Sequence, residues 1–301
     1  MIDRFYLGVL ILMACGLSAC TAPTSRTPDT MTTRELGVLS RGVNVPMTWT
    51  MPAAKQGALP LVIMVHGHGG SRHEAGAFDQ LAQRLASAGI ASIRMDFPGC
   101  GDSDESFANN NLTNMGADIS AARAQALTLA TIDPERIALV GFSMGGRLSA
   151  IESERNDYAA IAFWAPSLVN GADDLYDMFG GRANYDQAKA VAAENGSTDF
   201  VTSWGQEQVL GVDWFVDLER SRPMDAIAKF DGDLLFVHGT ADAVVPIAVS
   251  KTAMQNAVRA RSVATHWIDN ADHGFGLFSE QPQYWTELLN ETEQFLRRTL
   301  R

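Results

Sequence analysis

An α/β fold with a mostly parallel central sheet, helices on both faces and one inserted segment is the architecture this sequence predicts. Three observations carry it. Short apolar runs alternate with stretches of helical periodicity along most of the 301 residues, a rhythm that requires right-handed crossovers between parallel strands. The run Leu61-Val62-Ile63-Met64-Val65 is apolar without alternation, as a strand covered on both faces must be. The rhythm lapses once, between Pro166 and about Lys229, and then resumes.

Taken in order, Leu36–Leu39 and Val43–Thr50 read as antiparallel strands with Arg41-Gly42 in the turn. The strand Leu61–Val65 ends in His66-Gly67-His68-Gly69-Gly70-Ser71. Phe78, Leu81, Ala82 and Leu85 then fall at helical spacing, and Ala88-Gly89 stops that helix. The strand Ile90–Met95 leads into Asp96-Phe97-Pro98-Gly99-Cys100-Gly101-Asp102-Ser103. A helix from about Met115 to Ala130 follows, with Asp133-Pro134 as its breaker. Next come the strand Ile137–Val140, a helix over 144–155 and the strand Ala160–Ala165. After the lapse come the strand Leu234–Val237, a helix over 247–259, the strand Val263–Ile268 and a last helix from about Tyr284 to Arg298. The segment 166–229 is too long for a loop. It is also too aromatic for a disordered linker, with Tyr176, Phe179, Tyr185, Phe200, Trp204, Trp214 and Phe215, so it reads as an inserted cap. Tyr176, Trp204 and Trp214 would either line a pocket or pack the cap's own core.

Gly141-Phe142-Ser143-Met144-Gly145 stands between an apolar strand and a helical pattern. The five-residue pattern alone arises by chance in roughly one chain in ten of this length, so its meaning rests on that context. Strand, sharp turn and helix make it a nucleophile elbow, which holds the serine in a strained backbone conformation with its hydroxyl clear of the sheet. A Cβ at either flanking glycine would collide with the neighbouring strand or helix. The helix N-terminus points its unpaired N–H groups at the same spot.

Composition bounds the rest. With 46% hydrophobic and 19% charged residues the chain has ample core, and a net charge of −12 argues against nucleic acid or an anionic lipid surface as a partner. Phe5 to Leu17 is an apolar stretch too short to span a bilayer, and Leu17-Ser18-Ala19-Cys20 closes it. That ending resembles the lipobox of bacterial lipoproteins, which implies cleavage before Cys20, acylation of its thiol and an exported chain anchored to a membrane. An ordinary secretory signal cut near Ala19, or an uncleaved anchor, is the plainer alternative. Thr21 at the next position, instead of Asp, fits retention in the outer membrane, facing the periplasm. The organisation read from the sequence is a leader over 1–19, a Thr/Pro/Ser-rich tether over 20–33, core over 34–165, cap over 166–229 and core again over 230–301. With Cys15 removed and Cys20 lipidated, Cys100 has no intrachain partner. It reads as a small loop residue near the surface.

A serine hydroxyl needs a base, and the base an orienting acid. In this architecture they follow the serine in the order acid, then histidine, at the ends of later strands. His273 lies past the strand Val263–Ile268, and Asp242 past Leu234–Val237. Asp269, Asp272 and Asp96 are rival acids, Asp272 being disfavoured by its adjacency to His273. Two N–H donors for an oxyanion are expected from Met144, after the nucleophile, and from His68 in the glycine-rich turn, each through its backbone. His66 is expected to make a structural hydrogen bond beneath the site. His66 and His68 lack a third ligand at metal-site spacing, so no metal is expected. The glycines of the two turns lack a dinucleotide fingerprint.

His66-Gly67-His68-Gly69-Gly70, Asp96-Phe97-Pro98-Gly99-Cys100-Gly101-Asp102-Ser103, the elbow, His238-Gly239-Thr240-Ala241-Asp242-Ala243-Val244-Val245-Pro246 and Ala271-Asp272-His273 together resemble the α/β-hydrolase superfamily over about Leu36 to Arg298, cap excepted. Within it the chain is similar to capped carboxylesterases of the feruloyl and cinnamoyl kind. The resemblance implies a Ser143–His273–Asp242 triad, an oxyanion hole from His68 and Met144, no cofactor, and a small-molecule ester as substrate, aromatic or short-chain in its acyl part. A peptidase, thioesterase or acyltransferase would use the same triad, and a non-catalytic envelope binding protein could keep the same fold.

Overall fold

The computed structural model describes residues 31–54, 57–202, 204–278 and 281–301. The leader, Cys20 and the tether up to residue 30 lie outside the described residues. The chain runs β1 (Met31–Ser40), β2 (Val43–Pro52), β3 (Leu59–Val65), α1 (Ala77–Ser87), β4 (Ala91–Met95), α2 (Leu112–Leu129), β5 (Ile132–Phe142), α3 (Met144–Glu152) and β6 (Ala160–Trp164). It continues through α4 (Arg182–Asn195), β7 (Ser197–Val201), β8 (Glu207–Gly211), α5 (Val212–Arg220), α6 (Pro223–Lys229), β9 (Asp233–Gly239), α7 (Ala248–Asn256), β10 (Ser262–Ile268) and α8 (Pro282–Thr299).

Eight strands form one sheet in the order β1-β2-β4-β3-β5-β6-β9-β10. The β1–β2 and β2–β4 pairs are antiparallel and every other pair is parallel. Successive side chains of a strand point to opposite faces, and the apolar runs use both. Leu61, Ile63 and Val65 join the core on the side of α2, α3 and α6, with Leu139, Ile161, Phe163 and Phe236. Val62 and Met64 join the core under α1 and α8, with Val140, Trp164 and Val237. In α8 the buried Leu288, Leu289, Phe295 and Leu296 contribute about 1.5–3 kcal/mol each by leaving water.

Among the boundaries that differ from the sequence reading, three have a clear physical reason. Met31–Thr33, read as tether, are already strand, because backbone pairing with Thr50–Pro52 needs no apolar alternation. α2 starts at Leu112 and not Met115, where the Asn111 side chain accepts the Asn114 N–H at 2.8 Å and caps it. Asp133-Pro134, read as the helix breaker, lie inside the entry of β5, a position at which a strand tolerates proline.

Between β6 and β9 the chain forms a 3-10 turn over Asp173–Phe179, α4, the antiparallel β7–β8 hairpin and α5, and then α6, which lies against α3 and α7. Phe179, Tyr185, Phe200, Trp214 and Phe215 stack with one another at centroid separations of 4.5–6.0 Å. Trp214 thus packs the insertion's own core, whereas Trp204 at the hairpin tip is 54% exposed.

Candidate active site

The elbow has the geometry its glycines imply. Ser143 sits at φ 52°, ψ −115°, a region that costs a non-glycine residue of order 1–3 kcal/mol and persists only where the surroundings impose it. They do so here: the Ser143 N–H donates to the Trp164 carbonyl at 2.9 Å, and its carbonyl accepts from Gly146 and Ser167 at 2.9 and 3.1 Å. A Cβ on Gly145 would strike the Val65 carbonyl of β3, and one on Gly141 the Gly145 carbonyl. Only glycine permits strand and helix to approach so closely.

His273 and Asp242 arrive at this serine from the ends of β10 and β9. His273 Nε2 is 3.0 Å from Ser143 Oγ, and His273 Nδ1 donates to Asp242 Oδ2 at 2.8 Å. Asp242 takes four donors in all. Its Oδ1 accepts the N–H groups of Val244 and Val245, each at 2.8 Å, and its Oδ2 also lies 3.0 Å from His238 Nε2. Burial opposes ionisation of this carboxyl, but the hydrogen bonds from His238 and His273 outweigh it and hold it well below the usual carboxylate range. The acid is therefore an anion wherever the imidazole needs one. The rival acids are engaged elsewhere or turned outward. Asp96 binds Arg72, Asp272 Oδ1 accepts the Gly276 N–H, and Asp269 is exposed.

His238, quoted above only as part of a matching motif, is a support the sequence reading did not identify. It is fully buried, with Nδ1 at 2.8 Å from Ser250 Oγ and Nε2 also 2.9 Å from the Val245 carbonyl. Two oxygen acceptors face Nε2, so that nitrogen carries the proton and donates toward Asp242.

The turn after β3 lies against the elbow: a Cβ on Gly67 would be 3.5 Å from Ser143 Cβ. His66 sits beneath it as expected, with Nδ1 donating to the Gly67 carbonyl at 2.8 Å and Nε2 accepting the Phe97 N–H at 3.2 Å. Burial pushes its imidazole down to about 4, so it stays neutral. The His68 ring leans into the insertion, edge-on to Phe107 and Trp214 and 2.8 Å from Gln208 Oε1. Desolvation pushes it also down to about 4. Met144 opens α3, where a backbone N–H has no acceptor inside the helix. Cys100 departs from its expected place: it is buried at 3% exposure, with Sγ 3.6 Å from Asn110 Nδ2, and burial pushes the thiol up to about 12. A thiol held protonated in this way is no nucleophile. Among the described residues no cluster of three or more His, Cys, Asp or Glu side chains is arranged for a metal ion.

Glu74 is the second unforeseen residue. Its carboxylate accepts the Gly67 N–H at 2.9 Å while only 3% exposed, on a backbone where Glu74, Ala75 and Gly76 all have positive φ. Burial pushes its carboxyl up to about 7, against the pull of the Gly67 N–H. An unfolded glutamate titrates near about 4.3. Between those values the native chain holds the proton more tightly than the unfolded chain, so stability falls as pH rises through the window and stays lower above it. Glu74→Gln keeps an acceptor for Gly67 and never ionises. It is expected to raise the unfolding temperature by several degrees at about pH 8 and to leave it unchanged near about pH 4.5. A difference independent of pH in thermal melts would contradict this.

Comparison with known proteins agrees with the fold. The sequence profile described as the alpha/beta hydrolase family matches residues 62–287. Among curated proteins, the quorum-quenching protein AidA of Acinetobacter baumannii is 32% identical over 111 residues, a match spanning 36% of each chain. Among solved structures, Est1E of Butyrivibrio proteoclasticus with ferulic acid bound superposes with a TM-score of 0.68 at 19% identity, covering 88% of this chain and 99% of that one. The esterase domain of a Rhodothermus marinus protein gives 0.62 at 17%, covering 90% and 100%. The acylaminoacyl peptidase of Pyrococcus horikoshii gives 0.68 at 16%, covering 91% of this chain and 42% of that one.

Proposed function

Because the chain belongs to the alpha/beta hydrolase family, we propose that it is a serine hydrolase cleaving carboxylic esters through an acyl-enzyme. The observation that carries this reading is the unbroken hydrogen-bonded path from Ser143 Oγ through His273 to Asp242. Ser143 Oγ attacks the ester carbonyl as His273 Nε2 takes its proton, and Asp242 stabilises the imidazolium and holds the ring. The N–H groups of His68 and Met144 take the oxyanion. The imidazolium then protonates the leaving alcohol. A water activated by the same histidine releases the acid and regenerates Ser143. The insertion between β6 and β9 forms the cap over the acyl pocket, and the substrate is a small ester, aromatic or short in its acyl part. The leader ending in Leu17-Ser18-Ala19-Cys20 supports the further proposal that the enzyme is exported and lipid-anchored at Cys20 in the cell envelope, in the outer membrane facing the periplasm. Among the described residues no helix is long and apolar enough to cross a membrane.

The test is a panel run on the fragment lacking residues 1–20: p-nitrophenyl acetate, methyl ferulate, an acyl anilide and an acyl thioester, with and without an added alcohol. Esters are expected to turn over at least tenfold faster than the anilide and thioester, with free acid as the product. Preference for the anilide, or acyl transfer to the alcohol over water, would contradict the reading. So would a folded protein inert toward both esters.

A further inference from the structure

The turn that would carry the oxyanion donor is held from two sides. Below, Glu74 accepts the Gly67 N–H. Above, the β7–β8 hairpin reaches down with two glutamines: Gln208 Oε1 accepts the His68 Nε2–H at 2.8 Å, and Gln206 Nε2 donates to the Gly69 carbonyl at 3.3 Å. Three consecutive residues of the turn, Gly67, His68 and Gly69, are thus each fixed by a side chain from elsewhere. The contact is close as well as polar. A Cβ on Gly69, already at φ 66°, would lie 2.5 Å from Gln206 Oε1 and 2.7 Å from Gln208 Nε2. Gln208 is 5% exposed, and its Nε2 has no hydrogen-bond partner among the described residues. Burying that nitrogen unpaired is costly, and the hairpin keeps the side chain there, with its oxygen on His68.

We propose that Gln208, with Gln206 beside it, is a positioning residue that sets the oxyanion hole: the insertion's hairpin clamps the 67–69 turn, so that the His68 N–H is aimed at the developing charge only while the hairpin is seated. This rests on the ester-hydrolase reading above. The clamp acts on the turn and not on the reacting atoms. Its effect passes through the peptide group of His68, which is stabilising only if held where the oxyanion forms. The consequence is a link between the insertion and the chemical step. A segment that otherwise looks like a roof over the pocket also completes the catalytic geometry, so its displacement lowers kcat even for a substrate too small to reach it.

The experiment compares wild type with Gln208→Met, Gln206→Ala, His68→Phe and the His68→Phe/Gln208→Met pair on p-nitrophenyl acetate, alongside hydrogen exchange of the backbone amides of 67–70. Gln208→Met is expected to lower kcat about 10- to 100-fold, less than complete loss of an oxyanion donor, with KM within about twofold. Gln206→Ala is expected to act in the same direction and more weakly. Exchange at 67–70 is expected to speed up in Gln208→Met while the rest of the sheet is unchanged. Because one hydrogen bond is lost whichever partner is replaced, the double variant is expected to be no slower than the slower single variant. Unchanged exchange at 67–70, unchanged kcat in a folded Gln208→Met, or a raised KM with kcat intact would each overturn the clamp. Absence of Ser143-dependent turnover in wild type would instead defeat the ester-hydrolase reading, and the exchange measurement alone would then decide whether the hairpin holds the turn.

Discussion

Ser143→Ala is expected to lower ester turnover by about 10⁴- to 10⁶-fold while leaving the thermal midpoint within a few degrees of wild type. The size follows from the triad acting as one unit: without Oγ there is no acyl-enzyme, and only binding and the oxyanion donors remain to assist a water. The absence of a stability cost follows from the site. The hydroxyl is partly exposed and among the described residues its one hydrogen-bond partner is His273, so no buried group is left unpaired. His273→Ala is expected to cost about as much as Ser143→Ala, and the double variant no more than either. Asp242→Asn is expected to fall about 10⁴-fold, because an amide cannot take all four N–H donors and leaves His273 without the anion that holds its tautomer. Steady-state kinetics on a chromogenic ester checks all four. Additive losses in the double variant would contradict the shared role.

The largest stability effect is expected at Arg147, one helical turn past the nucleophile. Its side chain is fully buried, yet its guanidinium reaches Ser167 Oγ, the Gly171 carbonyl, Ser221 Oγ and Asp174 Oδ1, the last at 2.7 Å. It ties α3 to both roots of the insertion. Arg147→Met fills a similar volume but strands the buried charge of the Asp174 carboxylate, which keeps the Ser167 hydroxyl as a donor but loses its cation; this is expected to cost about 3–5 kcal/mol, or a melting point roughly 10 °C lower in a domain of this size. Replacing both partners, as Arg147→Met/Asp174→Leu, removes the stranded charge and is expected to recover about half of the loss. Thermal unfolding of the three proteins checks it. A single variant within about 1 kcal/mol of wild type would show that the ion pair does not anchor the insertion.

What the sequence made legible was what local geometry forces. A strained serine between a strand and a helix demands glycine on both sides, so Gly141 and Gly145 declare Ser143 within five consecutive residues. Chain order at the strand ends then singled out Asp242 and His273. The apolar run Leu61–Val65 announced a strand covered on both faces, and both faces are indeed filled. What stayed hidden depends on partners far along the chain. Arg147 reads as an ordinary polar residue at the start of a helix until residues 20 to 74 positions away close around it. Gln206 and Gln208 carry no signal within the insertion, because Gln208 is 140 residues from the histidine it holds. Nothing in the neighbours of Glu74 shows that the backbone turns it inward at φ 42°. Cys100 was placed near the surface as a small loop residue, yet it is buried with Asn110 packed against its sulfur. His238 was visible as a letter in a motif, but its donation to Asp242 required the loop to fold back over four residues.

The central claim is that Ser143 is acylated. A fluorophosphonate that reacts only with an activated serine, followed by trypsin and mass spectrometry, tests it most directly. One equivalent of label is expected on the peptide spanning residues 137–147, absent in Ser143→Ala and slowed by orders of magnitude in His273→Ala. Label on any other peptide, or none on a folded wild-type protein, would contradict it.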